Sequence, residues 1–316
     1  MNQSIDEQLA SMRSSLRSQR LFNLALVCLA IATATVAAVR PDGNATFDTV
    51  TCKEWKVVDD SGKMRICAST KAGTAGIMWF DKEGKSRIVA TTLNNGGSSM
   101  SWYDKDGTKR IGAATMADGE ARMSWFDKAG KMRIGATTLN DGDSHMTWFD
   151  KDEKPRIGAT TLNNGDAGMT WFDKDGKERV SARTMAGGTA SIAWRDRDGK
   201  ERINAATLTD GDAIMRWYDK DEKPRISANT TADGNAGTTW LDKDGKQRIT
   251  TGTESNGNAV MRWRDKDEKG GMLAGTSADG TAGIQWHDKA GDMRIRAAIK
   301  ADGTVVLPET DLTPKP

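Results

Sequence analysis

Histidine is almost missing from this 316-residue chain: there are two, His145 and His287. Neither stands with a nucleophile, a triad partner or a metal-ligand spacing, so hydrolytic and zinc chemistry have nothing to build on. Cysteine is scarce as well, at three. Only Cys52 and Cys67 could pair outside a membrane, and the register developed below sets them roughly 13 Å apart, beyond the reach of a bridge within one hairpin. Charge of one sign is missing too. Lys+Arg 46 against Asp+Glu 44 leaves +2, spread evenly, which removes the clustered basic face that nucleic-acid binding needs.

Long apolar runs are absent but for one. Leu21 to Val39 holds nineteen residues without a charge, enough to cross a bilayer as a helix. Arg13, Arg17 and Arg20 precede it, so the positive-inside bias predicts a cytoplasmic N-terminus with the rest outside the cell membrane. A signal peptide cleaved after Val36-Ala37-Ala38 is the alternative. Ile5, Leu9, Met12 and Leu16 recur at helical spacing, the seam of a short coiled coil or of an amphipathic helix lying on a membrane. The chain divides accordingly into a cytoplasmic amphipathic segment (1–20), a transmembrane helix (21–39), a linker (40–50), a repeat array (51–307) and a Pro-rich tail (308–316).

What the chain has in plenty is one phrase. Trp79, Trp102, Trp125, Trp148, Trp171, Trp194, Trp217, Trp240, Trp263 and Trp286 stand 23 residues apart without exception, the mark of a tandem array. Each unit reads as a Trp-centred strand, an Asp-Gly turn, an Arg-Ile strand and a second glycine turn. The expected fold is therefore all-β: an antiparallel hairpin meander of two-strand units, or, as the alternative, a β-solenoid with one unit per coil. The solenoid would stack ten aspartates as one like-charged ladder.

Strand alternation fixes the faces. With a two-residue turn at Asp106-Gly107, Trp102 falls opposite Ile111, Met100 opposite Ala113 and Ser98 opposite Thr115, while Ile88 flanks Trp102 from the other side. The ten tryptophans with Ile88, Ile111 and Ile134 form the expected core stripe. The same register sets Phe80, Tyr103, Phe126, Phe149, Phe172 and Tyr218 against Arg87, Arg110, Arg133, Arg156, Arg179 and Arg225, a face on which guanidinium groups stack on rings. Arg195 resists this scheme, because it would face Arg202. Glu153, Glu222 and Glu268 sit in the glycine slot of the first turn, where a positive φ costs about 1 kcal/mol. About twenty strands at about 4.8 Å each would make a sheet nearly 100 Å wide, whose tryptophan face needs cover.

At the ends, Val57 takes the Trp slot and Trp55 the Met slot of a degenerate first unit, and Thr304 to Leu307 add a last apolar strand, as terminal caps of an array should. Asp173-Lys174-Asp175-Gly176 has the opening of an EF-hand loop, but Thr184 stands at the twelfth position and flanking helices are lacking. Neither a metal nor a cofactor is expected, with weak calcium binding by the acidic turns as the lesser alternative.

The phrases WFDKDGKERV, WYDKDGTKRI and WLDKDGKQRI resemble those of a loose group of uncharacterised bacterial membrane-anchored proteins built from DKDGK-R repeats, over Val57 to about Lys300. The resemblance implies a bacterial envelope setting. Together these features predict a non-enzymatic, membrane-anchored structural or scaffold protein that associates with itself or with an envelope partner. The alternative is a multivalent module binding glycan, peptidoglycan or a protein through its Phe/Tyr and Arg rows.

Overall fold

A computed structural model describes residue 10 and residues 12–24, 47–71 and 73–306. The chain forms two compact units, Met1–Lys53 and Glu54–Pro316. In the first unit, residues 12–24 are helical, with Met12, Leu16, Leu21, Phe22 and Leu24 all exposed. Ile5 and Leu9 of the expected seam lie outside the described residues.

This helix corrects the expectation of a single-pass membrane protein. Its described residues 12–24 include Arg13, Arg17 and Arg20, charges that the apolar core of a bilayer disfavours. No helix among the described residues is long and apolar enough to cross a membrane. Residues 25–39 of the expected span lie outside the described residues. The cytoplasmic N-terminus and extracytoplasmic array rested on that span, and both are withdrawn with it.

The second unit is an antiparallel meander of 23 strands, from β1 (Glu54–Val58) and β2 (Met64–Lys71) to β22 (Met293–Ile299) and β23 (Val305–Val306). Each strand pairs with its neighbours in the chain, and β1 and β23 have one partner each, so the sheet stays open. The meander is realised and the solenoid is not. From Ser98 to Thr253, strands of six and seven residues alternate with loops of five, which together fill the 23-residue period.

Both loops are built alike. The first residue's N–H donates to the carbonyl of the fifth, and the fourth residue's N–H donates to the carbonyl of the first. The pairs are Asp104 with Thr108 and Gly107 with Asp104, then Met116 with Glu120 and Gly119 with Met116. The fourth residue holds a positive φ, 87° at Gly107 and 96° at Gly119, which glycine adopts without strain. The expected two-residue turn at Asp106-Gly107 is thus replaced by a five-residue loop. The register nevertheless agrees where the core lies: Trp102 pairs with Ile111 and Ile88, Met100 with Ala113, and Ser98 with Thr115.

The two descriptions converge because a β-bulge follows the first loop. Tyr103 pairs with Lys109 and Trp102 with Ile111, so Arg110 is the extra, unpaired residue. The aromatic row therefore does not face the arginines. Phe80 meets Ser86, Phe126 meets Met132, Phe149 meets Pro155, Phe172 meets Glu178 and Tyr218 meets Pro224. The bulge also settles Arg195, which pairs with Glu201 rather than Arg202 and makes an ion pair with Glu178.

The sheet is one layer thick. Among the described residues Cys67, Ala193 and Ala298 are the buried apolar ones, and no side chain is fully buried. Among the described elements, strands touch only their sequence neighbours. At the ends, Trp55 pairs with Ala68 and Val57 with Ile66, as the slots require, and Val305 and Val306 close the sheet against β22. Leu307 and the tail lie outside the described residues. Cys67 lies opposite Lys56, Cys52 precedes β1, and both thiols are free.

One unit departs from the rule and explains it. Between Trp263 and Trp286 the loop is six residues long, closed by Asp265 N–H to Gly270 carbonyl at 2.9 Å. No bulge follows, and Arg264 pairs directly with Gly271. Gly271 holds φ at 145°, and a Cβ there would stand 1.9 Å from the Trp263 carbonyl oxygen. Gly271→Ala should therefore lower stability several-fold more than Gly245→Ala, which meets open space and costs about 1 kcal/mol for its positive φ alone. Urea denaturation of both variants measures the difference.

Candidate functional site

The first-loop edge concentrates the repeated polar residues. The first loop residue is aspartate in all ten full units, from Asp81 to Asp288. Its Oδ1 accepts the backbone N–H groups two and four residues on, as Asp104 does from Asp106 and Thr108, each at 3.0 Å. Its Oδ2 faces the bulge arginine: Arg87 with Asp81, Arg133 with Asp127, Arg156 with Asp150, Arg202 with Asp196 and Arg248 with Asp242, and Arg225 with Asp219 at 2.7 Å. One carboxylate thus shapes the loop and holds the bulge that follows it.

The arginines also tie each unit to the next. Arg133 donates to the Asp150 carbonyl, Arg156 to that of Asp173, Arg202 to that of Asp219 and Arg248 to that of Asp265. A lysine rung runs beside them, with Lys200 Nζ 2.8 Å from the Lys220 carbonyl and Lys246 Nζ 2.9 Å from that of Lys266. On the opposite edge, side-chain oxygens of Asp143, Asp166 and Asp212 accept the N–H of Asn163, Ala186 and Ala232 in the following loop. The DKDGK-R phrase is accordingly a fastening between repeats.

Glu153, Glu222 and Glu268 do take the strained conformation, at φ 61°, 60° and 62°. Each returns something to the sheet. Their Oε1 atoms accept the N–H of Met132, Glu201 and Gln247, at 3.1, 3.3 and 2.8 Å, at the start of the preceding unit's Arg strand. A hydrogen bond contributes about 0.5–1.5 kcal/mol, the same size as the strain.

The aromatic row is packed rather than presented. The Phe172 ring stands 3.7 Å from where a Cβ of Gly158 would lie, and the Phe149 ring 3.8 Å from that of Gly135. Both rings cover backbone that glycine leaves bare. The cation–π contact found is Lys109 over Phe126, at 5.5 Å, while the arginines are engaged with aspartate. Phe80, Tyr103, Phe126, Phe149, Phe172 and Tyr218 are all half-buried. Phe172→Ser should therefore destabilise the array, by about 1–2 kcal/mol for the apolar area lost, as read by the midpoint of chemical denaturation.

On the other face the tryptophans form a continuous row with the isoleucines. Nine are half-buried by flanking strands and Trp286 is 38% exposed. Ile88, Ile111 and Ile134 are half-buried beside them. Next to this row, from β10 (Pro155–Thr161) to β19 (Ala259–Arg264), runs an open groove of about 1460 Å³. It is lined by three-residue stretches such as 159–161 and 167–169. The outer two residues of each stretch share the tryptophan face, so Ala159, Thr161, Ala167 and Met169 and their equivalents form the floor. Among the described residues no group of three His, Cys, Asp or Glu side chains is placed to hold a metal.

The aspartate role was missed in the sequence, although its signal was there: Asp never varies at that slot, and Arg is lost only in the unit that lacks the bulge. Burial opposes ionisation of Asp81, but the Lys85 N–H and the Arg87 guanidinium outweigh it and hold its carboxyl below the usual range. For Asp173 the Lys177 N–H leads, and for Asp288 the Arg294 guanidinium does. All ten of these aspartates are lowered. A lowered carboxylate stabilises fully above its ordinary value of about 3.9 and loses that contribution as pH falls through its folded value. The melting temperature, followed by circular dichroism, should hold steady down to about pH 5 and fall steeply below about pH 4.

No family model and no curated protein matches this chain. Among solved structures it is similar over 52% of its length to 88% of the TCP domain of SAS-4 (dCPAP) of Drosophila melanogaster, solved with a proline-rich motif of Ana2 (dSTIL), at 12% identity and a TM-score of 0.32. It is also similar over 81% of its length to 19% of a TcdB2-TccC3 structure, at 10% identity and a TM-score of 0.17. Likenesses this loose carry no argument about its role.

Proposed function

We propose that the protein is a non-enzymatic structural scaffold that assembles with copies of itself through the tryptophan face of its array. The observation that carries this reading is a row of ten tryptophans on one face of a single-layer sheet, with only neighbouring strands to cover them among the described residues. A continuous apolar surface of more than a few hundred Å² marks an interaction site, and this one extends across the array.

Repetition supports the same reading. An active site is a unique constellation, whereas nearly every polar side chain here recurs ten times in one structural role. Identical units offer identical surfaces, and contacts that are weak singly add up along an array. The packed aromatic row and the engaged arginines favour this over a ligand platform on the opposite face.

The purified chain should sediment and scatter light as a dimer or larger assembly. Met169→Lys with Met215→Lys on the tryptophan face should return it to monomers that keep their β circular dichroism. A wild-type chain that stays monomeric at tens of micromolar, about the range in which weak self-association is seen, would refute the scaffold reading.

A further inference from the structure

The tryptophan face is uneven along its strands. Trp and Ile lie toward the first-loop end, and Ala and Thr toward the second-loop end. Across β10 to β19 this makes a ridge of large side chains beside the small-residue groove. The edges differ as well. The ten second loops between Leu93 and Thr304 hold eleven carboxylates and one cation, Lys300. First loops carry both signs, and in eight of the ten full units the Lys or Arg at the second position stands 81–90% exposed and paired with the adjacent carboxylate. Such surface pairs exchange partners at little cost.

We infer that two copies stack tryptophan face on tryptophan face about a two-fold axis parallel to the direction of strand succession, an arrangement that rests on the scaffold reading and gives it a geometry. This axis turns the second sheet over and exchanges its edges. Each tryptophan ridge then lies in the partner's groove, and each acidic edge lies beside the partner's exposed lysines. The other in-plane axis, along the strands, sets ridge on ridge and acidic edge against acidic edge. Shape and charge therefore select the same symmetry from separate observations. The contact is isologous, so a closed dimer is its natural unit. Ten strands about 4.8 Å apart and about 20 Å long offer on the order of 1000 Å² per copy, above the roughly 800 Å² per partner of a stable complex.

Thr209 and Lys220 flank β15 (Ala213–Tyr218) at opposite ends, roughly 25 Å or more apart within one chain. Across the inferred axis, Thr209 of one copy lies at the edge that carries Lys220 of the other, with the sheets about 10 Å apart. The full chain, with Cys28, Cys52 and Cys67 changed to serine and carrying both Thr209→Cys and Lys220→Cys, should be joined into covalent dimers by a short bis-maleimide. Each single variant should not. The other axis, through the middle of the β10–β19 groove, brings Lys174 toward Lys243 of the second copy instead, two positions roughly 29 Å apart within one chain. Links in a Lys174→Cys, Lys243→Cys chain, or in the single Lys220→Cys variant, within an assembly that still forms would overturn the inferred symmetry and leave the scaffold reading standing. Monomers alone by light scattering would remove both.

Discussion

A single-layer sheet gives each side chain only the two adjacent strands to pack against. Trp102 has Ile88 on one side and Ile111 on the other, and no second layer supplies the contacts that a globular core would. Cross-strand pairs of this kind contribute about 0.2–1 kcal/mol each. Stability is then a sum of nearest-neighbour terms along the array, and it depends on every strand being in register, since a slip of one residue would turn its tryptophan to the other face.

The loops enforce that register. A five-residue loop with a positive-φ fourth residue reverses the chain, and the aspartate that opens each first loop both closes it and anchors the bulge arginine. The arginine and lysine rungs to the next unit's carbonyls lock neighbouring loops together. The unit from Trp263 to Trp286 shows that the constraint is on register and not on chemistry: without the arginine, a longer loop and Gly271 keep Trp263 opposite Met272. The glutamates of the glycine slot make the same point, since their strain is offset by a hydrogen bond across the repeat boundary.

The fastenings occupy one side of the sheet chemistry and leave the other free. Arginines and aspartates that looked available for a ligand are engaged within and between repeats, and the phenylalanines cover glycine backbone. The tryptophan face is left half-open, with a ridge and a groove on the same strands. That asymmetry is the observation from which self-association is proposed.

By itself the sequence determined the period, the all-β class, the Trp–Ile pairing and the cap slots of Trp55 and Val57, because strand alternation and an unbroken 23-residue repeat leave little freedom. It also misled where local patterns admitted two answers. An Asp-Gly pair serves a two-residue turn or the end of a five-residue loop, and the bulge compensates the difference, so the core register survived while the aromatic and arginine rows did not. Nineteen uncharged residues were likewise read as a spanning helix, whereas no helix among the described residues is long and apolar enough to cross a membrane. Only the tertiary structure decided between meander and solenoid, placed Arg110 in the bulge and joined it to Asp104. Those choices depend on hydrogen bonds between residues on different strands and in successive repeats, which spacing along the chain does not encode.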